Sequence, residues 1–391
     1  MTFRFLYHHR IRADDGQAVH VREMIGALRQ AGHEVRECAL VPKTEASAPG
    51  PRRPGVWQRL RLPRAAVEVL EVLYNRRGRS MLLEAARGFR PHFVYERHAL
   101  HCRVGLDVAR VLGVPLLLEV NSPMVAEMQR LGSLRLPARA SATEREVLGG
   151  ADAVLAVTRV LADLLAAAGA RPDRLHVIGN GADPSRYDDA AREAALAVRS
   201  RWRLPPGGVA VGFVGHMRPW HDLGLMLDAM TRPALQAVVF VLIGNGPALP
   251  GVLACARALG LQDRVKALGD VPPALLPAHV LACDVALIPA INEYASPLKL
   301  FDALAAGVPV LAPDQPNLRE YLVHGETALL FRRGDSGDLA QQLHRLVHER
   351  AVATALGQAG RRMLLQQHWT WTGNAERVLE VCARLEGRGA R

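Results

Sequence analysis

Short apolar runs rich in β-branched residues alternate along this chain with longer stretches whose apolar residues recur at helical spacing. That is the pattern of parallel strands joined by helical crossovers. In the first half the runs are FRFLYH, HEVRECALV, HFVYERH, PLLLEV, AVLAVT and LHVIGNG, separated by amphipathic stretches such as GQAVHVREMIGALRQAG and SATEREVLGGA. In the second half they are GVAVGFVGH, AVVFVLIGNG, RVKALGD, DVALIPA and VPVLAP. Two doubly wound α/β domains are predicted. The join is placed within Asp183–Gly208, where PPGG forms a breaker cluster just ahead of the second set of strands. The first domain then spans 1–190, the second 206–365, and a C-terminal helix over 366–391 packs back on the first. KTEASAPGPRRPG (Lys43–Gly55) reads as a mobile loop. Paired domains of this kind are expected to face a cleft, a usual place for a small-molecule site.

One unit of the second half carries chemistry. In NEYASPLKLFDALAAGVPVLAP (Asn292–Pro313), Ser296 is suited to an N-cap and Pro297 to the first helical position. A helix is predicted through Leu298, Leu300, Phe301, Ala303 and Leu304, closed by Gly307 in the left-handed conformation. The preceding loop then lies at the carboxyl end of a parallel strand, the edge at which open α/β sheets bind ligands. Lys299 falls in the first turn, where the helix dipole disfavours a cation. It fits there if an anion does too, because backbone N–H groups and an ammonium together form a phosphate site. Asp302, three residues on, shares its face and can accept from hydroxyls of whatever carries the phosphate. The competing reading is a solvated Lys/Asp pair.

Composition narrows the choice. A chain of 391 residues is too long for one ordinary core, and 49% hydrophobic with 22% charged residues fits a globular class. A formal charge of +11 points to an acidic partner, whether nucleotide, nucleic acid or anionic membrane. Lysine occurs only at Lys43, Lys266 and Lys299, all other basic residues being arginine, which makes Lys299 more informative. Cys38, Cys102, Cys255, Cys283 and Cys382 have no paired spacing, which argues against a disulfide framework or zinc site and fits a reducing cytoplasm. MTFRFLYHHRIRADDG lacks the apolar run of a signal peptide. No basic stretch is interleaved with aromatics in a nucleic-acid module. Arg52, Arg53, Arg59, Arg61, Arg64, Arg76, Arg77 and Arg79, with Trp57 and several leucines, read either as a surface resting on anionic membrane or as a solvated basic helix.

Glycines and basic residues mark the other strand ends. GQAVHV places Gly16 where backbone can approach a ligand, or in an ordinary turn. GFVGHMRPWHD (Gly212–Asp222) carries Arg218 and His221 in a loop suited to a diphosphate, or as surface residues beside Trp220. GNGP (Gly244–Pro247) lacks a full G-x-G-x-x-G and no Walker motif occurs, which disfavours dinucleotide and ATP sites.

Together with VLIGNGP, GDVPPALLPAHVLACDVALIP, SPLKLFDALAAGVPVLAP and VIGNGADPSRY, these segments resemble the retaining glycosyltransferases of family four across nearly the whole chain. The resemblance implies the GT-B fold of two Rossmann-like domains facing a cleft. It implies metal-independent, hexosyltransferase-type transfer from a nucleotide diphosphate sugar, UDP-linked or GDP-linked, with no further cofactor. The acceptor would be a glycan, a lipid-linked or a small molecule, the setting polysaccharide biosynthesis in the cytoplasm or at the inner membrane face. The family's motif of two glutamates with seven residues between places the second on Asp302, for the ribose, and the first on Tyr294. Glu293 is adjacent, so either the loop shifts by one residue or Tyr294 takes over the sugar contact. Arg218 and His221 stand for the Arg/Lys pair that holds the leaving diphosphate, and Lys299 restores the missing fixed charge. The backbone from Ala295 through Ser296 and Pro297 to Leu298 joins them, with Gly215, Gly244 and Val271 as further donor contacts. On the acceptor side Asn121 stands near a place where the family often has histidine, with Glu119 beside it. His221 is expected to act as an imidazolium, giving activity that falls as pH rises through its titration. A degenerate partner subunit and a sugar-nucleotide epimerase or phosphorylase are the competing functions.

Overall fold

The computed structural model describes residues 2–13, 15–44 and 63–389. The loop expected at Lys43–Gly55 lies mostly outside that set, as do Arg52, Arg53, Trp57, Arg59 and Arg61. The chain divides into two compact units, Met1–Gly179 with Thr372–Arg391, and Asn180–Trp371.

The first unit is built on β1 (Arg4–His9), β2 (Glu34–Ala39), β3 (Phe93–Arg97), β4 (Leu116–Val120), β5 (Ala153–Ala156) and β6 (Leu175–Val177). All pair in parallel, in the order β2-β1-β3-β4-β5-β6. The second unit holds β7 (Val209–Val214), β8 (Val238–Ile243), β9 (Val265–Gly269), β10 (Val285–Leu287), β11 (Val310–Pro313) and β12 (Leu329–Phe331). Their order is β12-β11-β10-β7-β8-β9, again parallel throughout. Helices cover both faces of this sheet. Leu287, Leu311 and Leu329 belong to one core with Phe213 and Phe240, while Ile288, Val310 and Leu330 belong to another with Leu300, Phe301 and Leu304. Strands buried on both faces read as continuous apolar runs, which is why they were legible. β12 was not expected. TALLF supplies a strand of only three residues at the sheet edge, too short for a period to show.

The division falls at Gly179/Asn180, ahead of the join expected within Asp183–Gly208. Ala182 bridges to Thr370, with its N–H 3.3 Å from the Trp369 carbonyl, and Tyr187 enters the core of the second unit. These contacts tie the segment after β6 to the second unit before the PPGG breaker is reached. The helix Trp371–Gly389 groups almost entirely with the first unit.

Glycines allow the β7 and β8 loops to meet. Gly244 has φ +125, and a Cβ there would lie 2.4 Å from the Gly215 carbonyl oxygen, a backbone atom that cannot swing away. Gly244→Ala is expected to lower the midpoint of urea unfolding, at a cost of about 2–4 kcal/mol from overpacking and left-handed strain. Gly26→Ala, in the helix Gly16–Gln30 with nothing within 4 Å of the new methyl, is the matched control and should leave the midpoint unchanged or raise it.

Candidate functional site

β7 is the first strand of its sheet and lies between β10 and β8, so the chain leaves it in one direction and later returns on the other side. A crevice forms outside the carboxyl ends of such neighbouring strands, the usual ligand position of a doubly wound sheet. Two segments border it: Gly215–Asp222 after β7, and Ile288–Pro297 after β10.

The second of these is held from beneath by buried amides. Asn317 Nδ2 donates to the carbonyls of Ala295 (2.7 Å) and Asn292 (3.2 Å), and Gln315 Nε2 donates to Asn317 Oδ1 (2.8 Å). Asn180 N–H donates to Ser296 Oγ at 3.1 Å, and Asn180 Nδ2 donates to the Ser296 carbonyl. Asn317 is 0% exposed. Burial makes such bonds strong and their loss costly, so the loop conformation is fixed.

This arrangement corrects the expected helix start. Ser296 is not the N-cap: the helix runs Leu298–Ala306, Pro297 is the residue ahead of it, and the Ser296 hydroxyl is occupied by Asn180. Nor do all the expected donors face outward. The Ala295 N–H bonds to the Asn292 carbonyl at 3.0 Å, and Pro297 has none to give. The N–H groups of Ser296, Leu298 and Lys299 have no partner among the described residues. Gly307 closes the helix at φ +72, as expected.

Lys299 is half-buried rather than a solvated surface lysine. Its Nζ lies 3.8 Å from the centroid of the Phe213 ring, and no carboxylate pairs with it among the described residues. Burial lowers the ammonium to about 7. The other face of the same cluster is His221, whose ring meets Phe213 edge-on at 5.0 Å. His221 Nδ1 accepts the Arg218 N–H at 3.1 Å, which fixes Nε2 as the protonated nitrogen of a neutral ring. Burial, then the charges of Lys299, His216 and Arg218, push its pKa down to about 3. The expected imidazolium is therefore corrected: with these neighbours His221 is neutral across the physiological range, a hydrogen-bond donor in place of a charge. Arg218 holds its guanidinium 5.6 Å from the Trp220 ring. His216, exposed in the same turn, is a basic group that the sequence reading passed over. Gly215 sits below Lys299, where a Cβ would stand 3.7 Å from Nζ.

Asp302, one turn beyond Lys299, accepts the Tyr187 hydroxyl at 2.7 Å on Oδ1. Tyr294 is buried, and its hydroxyl accepts from Asn292 Nδ2 at 2.9 Å. Glu293 is exposed and turned to an ion pair with Arg333 in the loop after β12. Gly244 meets backbone at Gly215 and Gly269, and Val271 packs against the core that includes Ile243.

In the first unit, Gly16 opens the helix that follows β1, capped by Asp15 accepting from Gln17 N–H at 3.0 Å. Glu119 ends β4 as the hub of a buried network. Its carboxylate takes Tyr95 Oη at 2.9 Å, Asn121 Nδ2 at 2.6 Å and the Arg97 guanidinium, with His20 Nε2 at 2.9 Å. Burial raises its pKa, but His20, Arg97 and the hydrogen bonds together outweigh that and hold it well below the usual carboxylate range. A carboxylate so satisfied is a poor general base. It positions Asn121, which is half-buried.

The sheet order defines an α/β protein of the doubly wound class. Comparison with known proteins is more specific. Residues 15–186 match the family described as Glycosyltransferase Family 4 and residues 208–349 the family described as Glycosyl transferases group 1. A D-inositol 3-phosphate glycosyltransferase of Thermomonospora curvata is 30% identical over 307 residues, 74% of this chain and 70% of that protein. A 2-deoxystreptamine glucosyltransferase of Streptomyces kanamyceticus is 29% identical over 271 residues, 67% of this chain and 69% of that protein. The D-inositol 3-phosphate glycosyltransferase of Nocardia farcinica is 32% identical over 260 residues, where the match spans 63% of this chain but 56% of that relative's length. The fold matches Anabaena HepE, solved with UDP, at TM-score 0.70 and 17% identity over 98% of this chain and 100% of that one. The chain belongs to the family-four glycosyltransferases.

Holding Lys299 charged in this setting costs stability. The group is depressed to about 7 when folded and titrates near 10.4 when unfolded, so the cost is full below pH ~7 and fades as pH rises toward ~10.4. Lys299→Met, which keeps the packing on Phe213, is expected to raise Tm at pH 6.5. The gain should shrink steadily between pH 7 and 9.5 when melting is followed by calorimetry.

Proposed function

We propose that this chain transfers a hexosyl group, with retention, from a UDP-linked donor to a hydroxyl of a small polyol or glycan. The observation that carries the reading is the half-buried Lys299 ammonium, without a carboxylate partner among the described residues, beside the open N–H groups of Ser296, Leu298 and Lys299. Such a corner is complementary to a diphosphate. In this reading Lys299, Arg218, the Nε2–H of His221 and those N–H groups receive the pyrophosphate, Asp302 accepts from the ribose hydroxyls, and the Glu293–Tyr294 segment lies by the sugar. As the bond from the anomeric carbon to the pyrophosphate oxygen breaks, negative charge grows on the leaving group, where preorganised donors act most strongly. The acceptor oxygen bonds to the anomeric carbon from the same face, and its proton passes to a phosphate oxygen. Glu119 and Asn121 are assigned to the acceptor side. The names of the relatives, an inositol phosphate and an aminocyclitol enzyme, favour a cyclitol-like acceptor.

Peripheral contact with anionic membrane is a second proposal. The helix Arg64–Ala86 exposes Val69, Leu70 and Leu73 beside Arg76, Arg77 and Arg79. No helix among the described residues is long and apolar enough to cross a membrane. Sedimentation with phosphatidylserine vesicles should be strong at low salt and lost at high salt, and absence of binding at low salt ends this part.

Slow hydrolysis of a panel of nucleotide sugars, followed by mass spectrometry, should single out the donor. Lys299→Ala should lower kcat/KM for that donor by ~10²–10³-fold, the usual effect of removing one such group. Unchanged kinetics would return Lys299 to a packing role. Donor binding favours the ammonium, so affinity for UDP-glucose measured by calorimetry should be level below pH 7 and decline by up to ~10-fold per pH unit above it, until the lysine of the complex also titrates. The Lys299→Met variant should show no such slope.

A further inference from the structure

We propose that Tyr187 is the positioning residue of the donor site, orienting Asp302 so that one carboxylate oxygen is spent on the tyrosine and the other is aimed at the vicinal hydroxyls of a nucleotide ribose. This rests on the donor reading given above. Tyr187 comes from the short turn Pro184–Tyr187, far in sequence from the helix that bears Asp302, and is 2% exposed. It belongs to one buried cluster with Leu300, Phe301 and Leu304 of that helix, and its hydroxyl is held 2.7 Å from Asp302 Oδ1. The turn itself is pinned: Asp183 accepts from Ser185 N–H at 3.0 Å, and the Arg186 guanidinium donates to the Pro273 carbonyl.

The consequence is a division of labour between the two carboxylate oxygens. Oδ1 is committed to Tyr187, whereas Oδ2 has no partner among the described residues. A buried phenol held by packing fixes the plane of the carboxylate, which a short, half-buried aspartate in the middle of a helix does not do alone. It also acts on charge. Burial raises the Asp302 carboxyl, and the Tyr187 hydrogen bond and the Arg186 charge work against that rise. Removing the hydroxyl frees rotation and favours the protonated acid, which accepts less well from a diol. Length matters as well. Asp302→Glu moves the carboxylate outward by one methylene, against a tyrosine hydroxyl already in contact, so the longer acid fits only if that hydroxyl is removed.

The test is discrimination between UDP and 2′-deoxy-UDP, read as a ratio of Kd values by calorimetry. A ribose-reading carboxylate makes the wild type prefer UDP, by ~10–150-fold for a hydrogen bond to a charged group. Tyr187→Phe keeps the ring and its packing and should bring the ratio close to one, mainly by weakening UDP. Asp302→Glu should do the same, and the double variant Tyr187→Phe with Asp302→Glu should recover part of the preference. If Tyr187 merely clamps the turn to the helix, Tyr187→Phe lowers Tm but leaves the wild-type ratio intact, and that result overturns the inference while the donor reading stands. A wild type that binds neither nucleotide removes both. A double variant no better than either single one also overturns it, because the two groups then do not share one carboxylate position.

Discussion

A cation half-buried against an aromatic face, with no acid among the described residues to answer it, is expensive to maintain, and Lys299 sits in that state in the second unit. The ring of Phe213 partly solvates it, Gly215 leaves it room, and the N–H groups at the start of its own helix have no partner among the described residues. None of these features neutralises the ammonium. The fold carries the cost of that charge. His221 belongs to the same economy of charge: an imidazolium beside a buried ammonium is suppressed, so the ring stays neutral with Nε2 protonated.

Preorganisation explains why so many of the supporting groups are amides. Asn180, Gln315 and Asn317 supply donors to backbone carbonyls without adding charge to a region whose electrostatics are already committed. They fix the loop after β10 from two separate parts of the chain. Tyr187 does for the Asp302 carboxylate what the amides do for the backbone. In the first unit Glu119 plays the converse role: its charge is so fully answered by Arg97, His20 and tyrosine hydroxyls that it acts as scaffold. A carboxylate beside a strand end is thus read differently in the two units, by counting the donors that reach it.

Much of the fold was legible because the central parallel strands are buried on both faces and therefore appear as unbroken apolar runs. Gly307 and the position of Lys299 at a strand's carboxyl edge were legible for the same reason, since both follow from the local alternation of strand, loop and helix. The N-cap was misread. Ser296 has the chemistry of a cap, but its hydroxyl is claimed by Asn180, and no local rule registers a partner 116 residues away. His221 was misread likewise, because its charge is set first by burial and by the distant Lys299, with His216 and Arg218 adding to them. The edge strand β12 is too short to have a period.

The sequence by itself determined the class of architecture, the edge of the sheet at which Lys299 sits and the family, all of which depend on local periodicity and on ordered motifs. The tertiary structure decided which donors at that edge remain open, which histidine is neutral and which tyrosine holds Asp302. Those properties depend on desolvation and on hydrogen-bond partners brought in from distant segments, and they exist only once the chain has folded around them.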